Sequence, residues 1–162
     1  MELVCDPPKP PTGEEMKRHA RVKDCLLACL AWSYYKDGQV QGEQGGWIYS
    51  RPESPQGFEF SITKERFTGC VDLSRPPNRS SEGLWVVGTF HTHPNRSELS
   101  RFPSKPGDPG IRGNKEADTD AQKRYKVPGL MINYLEEIYV YGPTSRILDW
   151  SGGRGFPGRA FR

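Results

Sequence analysis

The sequence predicts an α/β domain in which helices flank a mixed, mostly antiparallel and curved sheet. Three observations lead to this fold class. A long stretch near the N-terminus has helical periodicity, and several short runs rich in aromatic and β-branched residues follow it. A second helical stretch then separates two of those runs. A chain of 162 residues has room for one domain with a hydrophobic core.

Composition narrows the function classes before any motif is considered. The chain has 23 basic and 20 acidic residues, and a net charge of +3 does not indicate a nucleic-acid partner. No apolar run approaches the roughly 20 residues that a membrane-spanning helix needs, so we expect no membrane partner. The first residues lack the basic and then apolar pattern of a signal peptide, which predicts a cytoplasmic protein.

The first 35 residues divide into an arm and a helix. Residues 1–12 contain four prolines and are expected to form an extended arm. Thr12–Tyr35 is predicted to be one long helix, because Thr12 suits an N-cap and Asp37-Gly38 suits a helix end. Apolar residues recur within it at helical spacing, at Val22, Leu26, Cys29 and Trp32.

Strands are predicted wherever aromatic and β-branched runs are bounded by Pro, Gly or Ser. These runs are Gly46–Ser50, Phe58–Thr63, Phe67–Leu73, Leu84–His93, Leu130–Asn133, Ile138–Tyr141 and Arg146–Trp150. The run Leu84–His93 is apolar on both faces at its start, which predicts a central strand. A long polar loop and a second helix, Lys115–Lys126, follow it. The elements predict a single domain over residues 13–150, followed by a flexible, basic, Gly-rich tail over 151–162.

The predicted central strand ends in the motif His91-Thr92-His93-Pro94. Side chains at positions i and i+2 of a strand lie on the same face, so the two imidazoles project together. The proline cannot donate a hydrogen bond to a neighbouring strand, which suits a strand end. Two of the chain's three histidines occur in this motif, and such a pair is a good start for a zinc site.

A catalytic zinc site also needs a third protein ligand, an open position for water and a general base. Three aspartates after the motif could supply the ligand. Asp118 and Asp120 lie near the start of the second predicted helix, and Asp108 precedes a Pro-Gly turn. The residue pattern alone leaves all three open.

The order of these motifs is similar to that of a known family. Glu43-Gln44-Gly45-Gly46-Trp47-Ile48 comes first, then Gly88-Thr89-Phe90 and the histidine motif, and then an Asp on a helix before Val127-Pro128-Gly129. This order resembles the JAMM (MPN-type) zinc metalloproteases. It most resembles the JAMM-like domains at the C-termini of bacterial polymorphic toxins, including those on Rhs-repeat proteins. The resemblance covers about Glu14 to Trp150 and implies a JAMM/MPN-like, cytidine-deaminase-like fold.

The resemblance also assigns roles to residues. Glu43 matches the family's general acid/base, and His91 and His93 match its zinc ligands. The family's aspartate begins a helix that leads into a Pro-containing turn and a strand, which favours Asp118, with Asp120 second and Asp108 third. The glycines after Glu43 are expected to let a substrate or a metal-bound water come close to the backbone.

One position departs from the family pattern. The family usually has a serine three residues before the aspartate, where it helps to stabilise the oxyanion. Lys115 stands there in this chain, and Ser104 stands four residues before Asp108. Lys115 or Ser104 is therefore the expected oxyanion or substrate contact.

The expected function is that of a zinc-dependent hydrolase of peptide or Lys-linked isopeptide amide bonds. The resemblance further implies a bacterial toxin or effector domain, delivered into a target cell by a specialised secretion system. Its partners would be a protein or peptide substrate and a cognate immunity protein. Two alternatives stay open: a catalytically weak or inactive JAMM-like binding module, and a metal-dependent nuclease, which the basic tail slightly favours. No aromatic and basic stripe for stacking nucleotides is evident.

Overall fold

The computed structural model describes residues 9–63, 66–67, 70–108 and 116–143. The predictions for most of the arm, for Lys115, for the strand Arg146–Trp150 and for the tail lie outside these residues. Within them the helices are α1 (Gly13–Arg18), α2 (Ala20–Trp32) and α3 (Asp118–Tyr125). The strands are β1 (Gly45–Arg51), β2 (Ser54–Ile62), β3 (Arg66–Phe67), β4 (Cys70–Val71), β5 (Trp85–His93), β6 (Gly129–Asn133) and β7 (Ile138–Tyr141). Short 3₁₀ turns in this part of the chain lie at Ser80–Glu82 and Leu99–Arg101.

The prediction of one helix over Thr12–Tyr35 is wrong, because the helix is interrupted at His19 and forms two helices, α1 and α2. His19 is extended (φ −77°, ψ 131°) and ends α1 while capping α2, where its imidazole accepts a hydrogen bond from the Arg21 N–H. The ring also packs edge-on against Phe58, with 4.9 Å between centroids. The predicted N-cap is confirmed: Thr12 and Glu15 exchange hydrogen bonds in a capping box.

A five-stranded sheet has the order β2-β1-β5-β6-β7. Among the described strands its pairings are antiparallel except between β5 and β6, which confirms a mixed, mostly antiparallel sheet with β5 at its centre. Helix α3 lies in the connection between β5 and β6, as a parallel pair requires. The predicted strand Phe67–Leu73 is wrong: β3 and β4 instead form a small separate sheet.

The core lies on both faces of the large sheet, and neighbouring residues of β1 alternate between the two sides. Helices α1 and α2 cover one face, with Met16, Val22, Leu26, Cys29, Leu30, Ile48, Phe58, Val87, Phe90, Leu130 and Ile132 buried there. On the other face Tyr125 of α3 packs among Trp47, Tyr49, Leu73, Leu84, Val86 and Val127. None of the described helices is long and apolar enough to cross a membrane.

A bulge between Val86 and Gly88 determines which face of the sheet the later side chains of β5 occupy. The pairing with β1 shifts there by one residue, which changes the face that each later side chain occupies. Thr89 consequently faces α3, where its hydroxyl donates a hydrogen bond to Gln122 Oε1 at 2.9 Å. His91 and His93 follow at intervals of two residues and face the same side.

Candidate metal centre

The two imidazoles at the end of β5 converge on one point. Their Nε2 atoms lie 3.0 Å apart. The side chains of His91 and His93 are only 3% and 10% exposed. Two imidazole nitrogens this close and this buried suit a shared cation.

The carboxylate of Asp118 completes the cluster from the first residue of α3. Its Oδ2 lies 3.2 Å from His91 Nε2 and 3.3 Å from His93 Nε2. Burial raises the pKa of Asp118, but the two imidazoles outweigh that effect, so the pKa lies well below its usual range. The group is therefore an ionised carboxylate, which is the form that binds a metal.

Ser104 holds Asp118 in place. The helix N-cap residue, Ala117, has no side chain that could cap α3. The Ser104 hydroxyl instead accepts the Asp118 N–H at 2.8 Å, and the Ser104 N–H donates to Asp118 Oδ2 at 2.9 Å. Of the two predicted oxyanion contacts, Ser104 thus lies beside the cluster, and Lys115 is outside the described residues.

Each imidazole has a second partner on its Nδ1 atom. His93 Nδ1 lies 3.0 Å from the Ser100 carbonyl oxygen, and His91 Nδ1 lies 3.0 Å from the Tyr141 hydroxyl. Because a carbonyl only accepts, Nδ1 of His93 carries the hydrogen, and in the neutral ring this leaves the lone pair on Nε2. Burial, and then the charges of Asp118 and Glu43, raise the pKa of Tyr141 well above its usual value, so it stays a neutral phenol. Partners of this kind orient metal-binding imidazoles.

No sequence pattern indicated Tyr141 or the Ser100 carbonyl as part of the site. Tyr141 reaches His91 across β6 because Gly129 lies opposite it. A Cβ atom on Gly129 would stand 2.6 Å from the tyrosine ring. Gly129 of the Val127-Pro128-Gly129 motif therefore permits this contact. The motif does not indicate that Tyr141 is the residue that reaches His91.

Glu43 lies beside the cluster. Gly45 of β1 pairs with His91, and the register continues because the Thr92 N–H donates to the Gln44 carbonyl at 2.8 Å. Glu43 is then opposite His93, and opposite residues share a face. Its Oε1 lies 4.0 Å from His93 Nε2, and the side chain is 10% exposed. A general base next to a metal would occupy such a position.

The glycines after Glu43 lie where a side chain would clash with a neighbouring strand. A Cβ atom on Gly46 would stand 2.0 Å from the Ser61 carbonyl oxygen, and one on Gly45 would stand 2.9 Å from that of Phe90. Neighbouring strands fill the space at both positions. These glycines allow close strand packing at the start of β1.

The other two candidate aspartates lie elsewhere. Asp108 accepts the Lys105 N–H at 2.8 Å within a local turn. Asp120 is exposed on α3. In the described part of the chain, the group that could hold a metal consists of His91, His93 and Asp118, whose ligand atoms all lie within 4.8 Å of one another.

Comparison with known proteins adds no family assignment: no protein-family model and no curated protein matches this chain. Two imidazole nitrogens and one carboxylate oxygen leave one position of a tetrahedral ion for water or substrate.

Replacing Asp118 by asparagine should weaken metal binding, measured with zinc as the probe ion, more than the same change at Asp120 or Asp108. The amide would keep the shape of the side chain but lose the charged ligand oxygen. We expect the zinc dissociation constant to rise beyond the roughly 10–100-fold that loss of an outer partner costs. Competition with a fluorescent chelator measures it. Loss of zinc in Asp108→Asn alone would instead place the ligand in the loop.

Proposed function

We propose that this chain is a zinc-dependent hydrolase of amide bonds with a JAMM/MPN-like fold. The observation that carries the proposal is the convergence of His91 Nε2, His93 Nε2 and Asp118 Oδ2, with the Glu43 carboxylate 4.0 Å from His93. The order of motifs along the chain supports the same family.

The donor set fits zinc. Two histidines and one carboxylate with an open position form a common catalytic zinc site. The same set also binds Fe(II) in oxygenases, so the ligands alone do not select the metal. Glu43 favours zinc, because a glutamate beside the ligands is the general base of many zinc peptidases.

Zinc bound there would supply a Lewis acid and lower the pKa of water to about 7. Glu43 takes the proton from the attacking water and passes it to the leaving amine. Its side chain is 10% exposed, and its Oε1 lies 4.0 Å from His93 Nε2. Ser104 accepts the Asp118 N–H and still has a hydroxyl hydrogen to donate, so we assign it to the developing oxyanion.

The substrate class rests on the resemblance of the motifs. Family members of this type act on peptide or Lys-linked isopeptide bonds, and we propose the same two bond types here. The role as a bacterial toxin or effector, its delivery into a target cell and a cognate immunity protein have the same support.

The test is metal analysis followed by an assay. Protein purified without chelator should contain about one equivalent of zinc, as a site with three protein ligands predicts. It should cleave a pool of peptides or Lys-linked isopeptides, lose activity with a zinc chelator and regain it with added zinc.

Three results would contradict the proposal. A folded protein that binds no zinc would be a binding module. A protein that retains iron would point to redox chemistry. A zinc protein that cleaves nucleic acid and no amide would be a nuclease.

A further inference from the structure

Asn133 connects β6 to the loop that follows the histidine motif. The residue is fully buried. Its Oδ1 accepts the N–H groups of Leu135 and Glu137, and its Nδ2 donates to the Arg101 carbonyl at 2.8 Å and to Glu137 Oε1 at 3.0 Å. Donors surround one end of the amide and acceptors surround the other, so its orientation is determined.

A second contact holds the same loop. Arg101 Nε donates to Glu137 Oε1 at 2.8 Å, and its terminal nitrogen donates to Oε2 at 3.2 Å. A bidentate pair of this kind fixes geometry better than a single ionic contact. The 3₁₀ turn Leu99–Arg101 is thereby attached to the β6–β7 hairpin through its backbone and through a side chain.

That turn presents the carbonyl that orients His93. Ser100 lies in it, next to Arg101, and its oxygen accepts the His93 Nδ1–H at 3.0 Å. Asn133 also pairs with His93 across β5 and β6. The amide and the imidazole are thus linked by the sheet register and by the turn.

We propose that Asn133 is a positioning residue, which holds the Ser100 carbonyl against His93 and so keeps His93 Nε2 free to bind a metal. This inference deepens the proposed function and rests on it for the role of the metal. The link from Asn133 to the tautomer of His93 concerns the protein without metal.

Two variants test the contacts of the Asn133 amide and of the Arg101 side chain separately. Asn133→Asp keeps an acceptor for the N–H groups of Leu135 and Glu137. It removes the donor to the Arg101 carbonyl and to Glu137 Oε1, and places a second carboxylate oxygen there. Arg101→Gln removes the bidentate pair and leaves the bond from Nδ2 to the backbone carbonyl. The second variant changes a partly exposed side chain, so it provides a test even where Asn133→Asp does not fold.

The primary measurement is the imidazole tautomer in metal-free protein. Long-range proton–nitrogen NMR spectra distinguish, for each ring, a hydrogen on Nδ1, a hydrogen on Nε2 and hydrogens on both nitrogens. His91 is an internal control, because its Nδ1 partner is Tyr141. Arg79→Gln is a matched control, since it breaks a similar bidentate pair with Glu82 beside the first 3₁₀ turn.

Asn133→Asp should shift His93 toward the Nε2–H tautomer while His91 is unchanged, and Arg101→Gln should produce a smaller shift. The zinc dissociation constant should rise about tenfold or more in Asn133→Asp, the usual cost of losing an outer partner. Arg79→Gln should change neither quantity.

Unchanged His93 tautomers in the folded variants would overturn the inference, as would an equal shift of His91 and His93. Failure of the wild-type protein to bind zinc is a different result. It would remove the proposed function, and the tautomer measurement would still decide whether Asn133 acts on His93.

Discussion

Zinc should be lost completely when His91 and His93 are both replaced by alanine. Wild-type protein is expected to bind about one equivalent, and the double variant should fall to background, since one carboxylate cannot hold the ion alone. Elemental analysis after dialysis against buffer without chelator measures the difference. Any amide hydrolysis should disappear together with the metal.

The third histidine provides the matched control. His19 caps α2 and packs on Phe58, and its imidazole belongs to the α1–α2 junction. His19→Asn removes an imidazole but keeps a good N-cap, so the fold should survive. It should retain full zinc. Equal zinc in the wild type and the His91→Ala, His93→Ala variant would show that the ion binds elsewhere.

The end of β5 illustrates what a local pattern can predict. The spacing of His91 and His93 and the following proline predicted two imidazoles on one face of a strand end, and the structure places them there. The position of Asp118 near the start of a helix was also predicted, because a carboxylate is favourable in a first turn, although the helix begins at Asp118 and not within the predicted first turn before it. Both features depend on residues close together in the chain.

Other parts of the site depend on contacts between distant segments. Strand β6 lies between the strands that carry His91 and Tyr141. The tyrosine reaches the imidazole across β6 because Gly129, the residue opposite Tyr141, has no side chain. Ser104 contacts Asp118 from a loop, and the conformation of a loop cannot be predicted from a periodic residue pattern. Neither contact follows from the type of residue at one position.

The helix break at His19 was missed for a related reason. Thr12–Tyr35 contains no proline or glycine in its interior after Gly13, so helical periodicity continues through the break. The break is stabilised by tertiary packing of the imidazole against Phe58 of β2. Intrinsic helix propensity is a weak constraint when such packing competes with it.

Glu43→Gln should abolish most amide hydrolysis while zinc stays bound. The glutamine has nearly the same shape but cannot accept and return a proton, and loss of a general base typically costs about 10²–10⁴ in rate. Because Glu43 lies beside the three ligands and 4.0 Å from His93, zinc content and melting temperature should stay near the wild-type values. Initial rates on the cleaved peptide or isopeptide, measured with elemental analysis of the same samples, provide the test.

Glu53→Gln is the control, since Glu53 is an exposed glutamate in the turn between β1 and β2. It should leave both rate and zinc unchanged. The comparison with the histidine variants is the informative one: they should lose metal and activity together, whereas Glu43→Gln should separate the two. A Glu43→Gln protein that binds zinc and remains fully active would mean that another group moves the proton. The position of Glu43 opposite His93 would then reflect only the register of β1 and β5.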